Sequence, residues 1–139
     1  MGLIVSVYDE IVSETSVAEE DVYQRIGEEG FARMVSAFYR QVSSDDILGP
    51  MYPKHDLAGA EERLRDFLRF RFGGPMDYLE KRGHPRLRMR HVPFHVDEQA
   101  RDRWVQFMDR AIEEAEIPEN VATTLRNFFH STATFLRNA

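Results

Sequence analysis

Apolar side chains recur along this chain at steps of three and four, the spacing of one buried helix face. The rhythm starts at Asp21, breaks at Gly27 and Gly30, and then runs through Phe31, Val35, Phe38, Tyr39 and Val42. Ser43-Ser44-Asp45-Asp46 ends that run, and Gly49-Pro50 and Pro53 mark a corner holding Met51 and Tyr52. Asp56 is placed to cap a second helix, with Glu61 and Glu62 favouring its early turns and Ala60, Leu64, Phe67, Leu68 and Phe72 facing inward. Gly73-Gly74-Pro75 stops it. Residues 76–86 read as irregular, with Gly83 and Pro85, before a short helical turn from Leu87 to His91 that Pro93 closes. Asp97 is placed to cap a third long helix, whose stripe is Trp104, Phe107, Met108, Ala111, Ile112 and Ala115. Pro118 separates it from a last helix with Val121, Leu125, Phe128, Phe129, Thr132 and Leu136 on its inner side. No stretch alternates with period two and no repeat is evident. The pattern predicts an all-α fold of four substantial helices in one domain, 21–139. Residues 1–20, with Leu3, Ile4, Val5, Val7, Ile11 and Val12 giving way to Ser and Glu, read as an N-terminal extension.

Composition narrows the function. A chain of 139 residues suits one core. Ten Phe, five Tyr and one Trp exceed what a small helical core needs, as fits a protein lining a large apolar ligand. A diffuse net charge of −6 argues against nucleic acid, which requires a basic face. The local exception is Lys81, Arg82, Arg86, Arg88 and Arg90, either a solvated basic loop or an anchor for something small and anionic. The absence of cysteine excludes disulfides, zinc–thiolate sites, iron–sulfur clusters and thiolate-ligated haem, and suits a reducing cytosol. No apolar run approaches a membrane span, and the start of the chain lacks a signal-peptide pattern. A cytoplasmic protein with no membrane partner is the expectation.

Histidine is the remaining metal-ligating residue of interest. Five are present, His55, His84, His91, His95 and His130, with no HExxH pattern. His91 and His95 are four apart, but Pro93 between them disfavours a continuous helix that would pair them. His91 closes its short segment with Leu87 one turn earlier on the same face. A neutral imidazole is a good iron ligand, and haem commonly takes one histidine. By spacing alone, a surface or satisfied core histidine remains the commoner case.

The motifs in order change that weight. Gly73-Gly74-Pro75, Tyr78 and the run from Arg82-Gly83-His84-Pro85 to Arg88-Met89-Arg90-His91 closely resemble the signature of group II truncated haemoglobins. The likeness continues through Phe38-Tyr39, Met51-Tyr52-Pro53, Leu57 to Leu64, Pro93-Phe94 and Arg103-Trp104, and spans roughly residues 22 to 138. The resemblance implies a two-over-two helical sandwich around haem b (iron protoporphyrin IX), with His91 as the iron ligand. It implies Tyr39, Tyr52 and Trp104 as polar distal residues, with Ala60 and Leu64 beside the bound gas. Phe38, Phe67, Leu68, Phe72, Leu87, Phe94 and Met108 are expected around the cofactor, and Arg63, with Arg90, Tyr78 and His84, is expected toward the propionates. Two departures stand out. The first corner keeps only one glycine of the pair common in the family, in Ile26-Gly27-Glu28, and Phe72 replaces a Trp common before Gly-Gly-Pro.

The distal set has a physical rationale. Dioxygen gains partial negative charge on binding, and phenol O–H and indole N–H groups donate to it. Such bonds are worth about 1.5–3 kcal/mol each, or roughly ten- to a hundred-fold in ligand retention. Two functions use the same residues. One is reversible binding of oxygen, carbon monoxide and nitric oxide. The other is nitric oxide dioxygenase or peroxidase-like turnover, for which an external reductase is expected, since these 139 residues hold no flavin or nicotinamide domain. A helical interaction module without cofactor would instead be colourless. Either a monomer or a homodimer is compatible with these readings.

Overall fold

Six α-helices carry residues 16–139, the part of the chain that the computed structural model describes. They are α1 (Val22–Val42), α2 (Leu57–Arg71), α3 (Asp77–Arg82), α4 (Leu87–His91), α5 (Glu98–Glu114) and α6 (Glu119–Leu136). Short 3-10 turns cover Glu19–Asp21 and Gly49–Met51, and there is no strand among the described residues. The four long helices match those the periodicity predicts. Helix α1 packs on α2 and α5, and α5 packs on α6, so the predicted stripes meet in one core. Phe31, Phe38, Met34, Leu68, Phe72, Met108, Ile112, Leu125 and Phe129 are fully buried there. Burial of large apolar side chains of this kind supplies the main driving force for the fold.

Local signals place the helix ends. Asp56 accepts from the Gly59 N–H at 3.2 Å and Asp97 from the Ala100 N–H at 2.8 Å, so both expected caps form. The break at Gly27 is a kink within α1, with φ 64° and ψ −172°. Gly73, at φ +91°, turns the chain where a Cβ would overlap the Glu20 carbonyl oxygen. There the Tyr23 N–H donates to the Phe72 carbonyl at 3.0 Å, joining the start of α1 to the end of α2.

The stretch 76–86 differs from its expected irregularity, because α3 occupies Asp77–Arg82. The reason is non-local. Arg82 reaches the buried Asp66 of α2 at 3.0 Å, and Arg69 takes the other carboxylate oxygen at 3.0 Å. Tyr78, on the same helix, is buried and stacks on Phe70.

The corner between α1 and α2 is held by Asp45. Its carboxylate accepts from the Leu48 N–H at 2.7 Å and the Ile47 N–H at 3.0 Å, and it pairs with Arg103 of α5. Upstream of α1, Val17 is buried, and its N–H donates to the Thr124 hydroxyl oxygen of α6 at 3.0 Å. Most of the expected N-terminal extension, residues 1–15, lies outside the described residues. Among the described residues no helix is long and apolar enough to cross a membrane.

Candidate functional site

A cavity of about 330 Å³ lies between side chains of all six helices and the corner after α1. That is within the size range of small-molecule and cofactor sites. Thirteen residues singled out in the sequence line it. Tyr39, Tyr52 and Trp104 come from α1, the corner and α5, and Ala60, Arg63, Leu64, Phe67 and Leu68 come from α2. Tyr78 of α3, Leu87, Arg90 and His91 of α4, and Phe94 complete them.

Four others are not on the wall. Phe38, Phe72 and Met108 are fully buried behind it as core. An apolar stripe does not distinguish a side chain that faces a cavity from one that packs one layer deeper. His84 is exposed, and its Nδ1 accepts from the Arg86 N–H at 3.2 Å within its own loop. That local bond keeps it away from the cavity.

Sequence reasoning missed a wall as well. Phe128, Phe129, Thr132, Ala133 and Leu136 of α6 line the cavity, as do Leu48, Met51, Pro53, Val96, Ala100 and Arg101. The α6 stripe was visible from its spacing, but nothing in that spacing marked it as a wall.

His91 has one committed nitrogen. Its Nδ1 lies 2.7 Å from the Leu87 carbonyl oxygen one helical turn earlier. A carbonyl only accepts, so Nδ1 carries the hydrogen, and in the neutral imidazole Nε2 is the nitrogen with the lone pair. Among the described residues no three His, Asp or Glu side chains gather to hold a bare metal ion.

The polar aromatics form a second group, organised by Phe38. Its ring centroid lies 5.2 Å from that of Tyr39, 5.5 Å from Trp104 and 6.4 Å from Tyr52, all edge-on. The Tyr39 hydroxyl donates to the Ala60 carbonyl at 3.2 Å. Burial, reinforced by Tyr52 nearby, pushes the Tyr39 phenol far above its ordinary range. Burial pushes Tyr52 up to about 12, and the Trp104 indole N–H beside its hydroxyl pulls slightly the other way. Both phenols therefore keep their protons at neutral pH.

The mouth of the cavity is cationic. Arg63 and Arg90 are exposed residues that line it. Arg63 lies 3.4 Å from Asp56, and Arg90 has no ion pair among the described residues.

Helices packed around an apolar cavity, with one histidine and a cluster of phenol and indole donors, define a globin-type pocket. The family comparison agrees: the chain belongs to the bacterial-like globin family, whose model matches residues 21–138. Within it, the chain groups with the truncated haemoglobins of group II. It is 34% identical over 116 residues to a group 2 truncated haemoglobin of Bacillus subtilis, covering 84% of this chain and 87% of the relative. A thermostable haemoglobin of Thermobifida fusca is 43% identical, with a TM-score of 0.81 over 85% of this chain and 97% of its own. The haemoglobin of Chloroflexus aurantiacus is 42% identical, with a TM-score of 0.82 over 85% of this chain and 98% of its own. Membership of this family implies a haem-binding globin.

Proposed function

We propose that this protein holds haem b through His91 and reversibly binds oxygen and other diatomic gases beside Tyr39, Tyr52 and Trp104. The observation that carries the reading is the bond from the His91 Nδ1–H to the Leu87 carbonyl. It fixes the ring orientation and, in the neutral imidazole, reserves the Nε2 lone pair for a haem iron. The cavity chemistry fits the group: an apolar, aromatic interior for the porphyrin and cations at the mouth for its carboxylates. Arg63 and Arg90 are the residues to hold those carboxylates by charge-assisted bonds, with Tyr78 on the adjoining wall. Haem, when bound, supplies an iron coordination position at which a diatomic gas is taken up and released.

The chain's own contribution is to aim donors and exclude water. The three distal donors are not equivalent. Tyr39 already gives its hydrogen to Ala60, and the Trp104 indole lies beside the Tyr52 hydroxyl, whose own hydrogen has no bond among the described residues. Removing it by Tyr52→Phe is expected to speed oxygen dissociation by about ten- to a hundred-fold, with a smaller effect for Tyr39→Phe. Stopped-flow displacement of oxygen by carbon monoxide measures both, and equal, unchanged rates would overturn the distal assignment.

The test of the reading as a whole is spectroscopic. Protein reconstituted with hemin is expected to show a Soret band distinct from free hemin, to shift on adding dithionite and carbon monoxide, and to lose the band in His91→Ala. A spectrum identical to free hemin would overturn it.

A further inference from the structure

The element that carries His91 is poorly supported by itself. Helix α4 has five residues, far fewer than an isolated helix needs to persist in water. Its N-cap, Arg86, is a non-glycine residue at φ 47° with no side-chain capping bond. The segment that follows exposes Val92, Pro93, Phe94 and His95. The last carbonyls of any helix lack partners within it, and here they must find them elsewhere.

The His91 carbonyl accepts from the Phe94 N–H at 3.0 Å and takes a second bond from a side chain at the far end of the fold. Asn138 lies two residues beyond α6, and its Nδ2 donates to the His91 carbonyl at 3.2 Å and to the Phe94 carbonyl at 2.9 Å. Its Oδ1 accepts from the Val96 N–H at 2.9 Å. Its backbone N–H donates to the Val96 carbonyl at 2.8 Å. Both donors of the amide are thus in use, and its oxygen is too, all on one six-residue turn. A second tie comes from Arg88, whose guanidinium lies 4.8 Å over the Phe135 ring of α6.

We infer that Asn138 is a positioning residue for the His91 imidazole. It acts as a remote C-cap that fastens the 91–96 turn to α6 and so sets how firmly His91 presents Nε2 to its ligand. The inference rests on the proposal that His91 ligates haem iron, and it assigns to that bond a control lying outside the pocket, since Asn138 is not on the cavity wall.

The amide pattern makes a sharp discrimination. Asn138→Asp has nearly the same shape and keeps an acceptor for Val96, but it sets a carboxylate oxygen against the carbonyls of His91 and Phe94. Asn138→Ala merely removes the bonds. The order of defect is therefore Asp worse than Ala. Arg137→Ala, which leaves every one of those contacts in place, serves as the control.

The experiment uses full-length protein reconstituted with hemin. Transfer of haem to excess apomyoglobin is expected to be about ten-fold faster in Asn138→Ala, about 1.4 kcal/mol. It is expected to be faster still in Asn138→Asp and within two-fold of wild type in Arg137→Ala. The iron–imidazole stretching band of the ferrous protein should shift or broaden in the two Asn138 variants alone. Amide exchange at Val96, read in the protein without haem, is expected to accelerate in Asn138→Ala. That last measurement tests the clamp without the cofactor and remains available if Asn138→Asp fails to fold. Unchanged Val96 exchange, or accelerated exchange with wild-type haem loss and an unmoved band, would overturn the positioning role while leaving the haem reading intact. Wild-type protein that takes up no hemin would sink both.

Discussion

The two sides of the pocket, the proposed distal side with Tyr39, Tyr52 and Trp104 and the proposed proximal side with His91, are built by opposite means. Tyr39 and Trp104 stand on long helices, and with Tyr52 they surround the fully buried Phe38. His91 stands on a five-residue helix; Met89 within it and Val92 just after it are 62% and 70% exposed. The distal side is thus over-determined by core packing, in which each ring is confined by several neighbours. The proximal side rests on a handful of hydrogen bonds to Asn138, just beyond α6, and on the Arg88–Phe135 contact. The lesson is that the same cavity joins a stiff wall to a segment held only at discrete points, and local stability follows such differences in contact and exposure.

Substitutions on the two sides should separate accordingly. The largest effect is expected for Phe38→Ala, which opens a cavity behind three distal rings and should cost about 3–5 kcal/mol in urea unfolding. A loss below about 1 kcal/mol would break the contrast by showing the distal wall to be loosely packed. Next is Gly73→Ala, where a Cβ would overlap the Glu20 carbonyl and an alanine would be forced to φ +91°. A loss of about 1–3 kcal/mol is expected, checked by thermal melts.

A pH series sharpens the corner that carries Tyr52. Burial pushes the Asp45 carboxyl up, but the Leu48 and Ile47 N–H groups and Arg103 outweigh it and leave its pKa below the ordinary value. A lowered carboxylate adds stability above its unfolded pKa and loses that stability as pH falls through the folded value. The melting-temperature advantage of wild type over Asp45→Asn should therefore be full at neutral pH and shrink below about pH 4. An advantage that grows on acidification would refute the assignment. The smallest effect is expected on the proximal side. Met89→Ala should change unfolding free energy by less than about 0.5 kcal/mol, because the side chain is largely exposed already.

What could be read from the sequence was local. The four long helices follow from apolar spacing over several turns, and Asp56 and Asp97 announce their caps three residues ahead of the N–H they accept. Helix α3 was not legible, because six residues hold too few positions for a period, and its anchor, Asp66, lies on another helix. The pocket was legible in large part through separated motifs whose order and spacing agree. Where the pattern and the cavity lining differ, one cause is shared. Phe38, Phe72 and Met108 look like wall residues by pattern, and Phe128, Phe129 and Leu136 look like core. Depth behind a surface is a property of packing between helices, which no single stripe records. Asn138 carried no signal, since its partners lie on the far side of α5 in the chain.

The bond between Tyr23 and Phe72 makes the chain from one to the other a closed ring, tied at its base and sealed by Gly73. Once a ring is tied, inserting or deleting a few residues on its far side changes closure entropy only slightly. The corner between α1 and α2 is that far side. Tyr52 therefore sits where the architecture best absorbs changes of length, whereas Tyr39 and Trp104, fixed in helical register, would be rotated off the pocket by a single added residue.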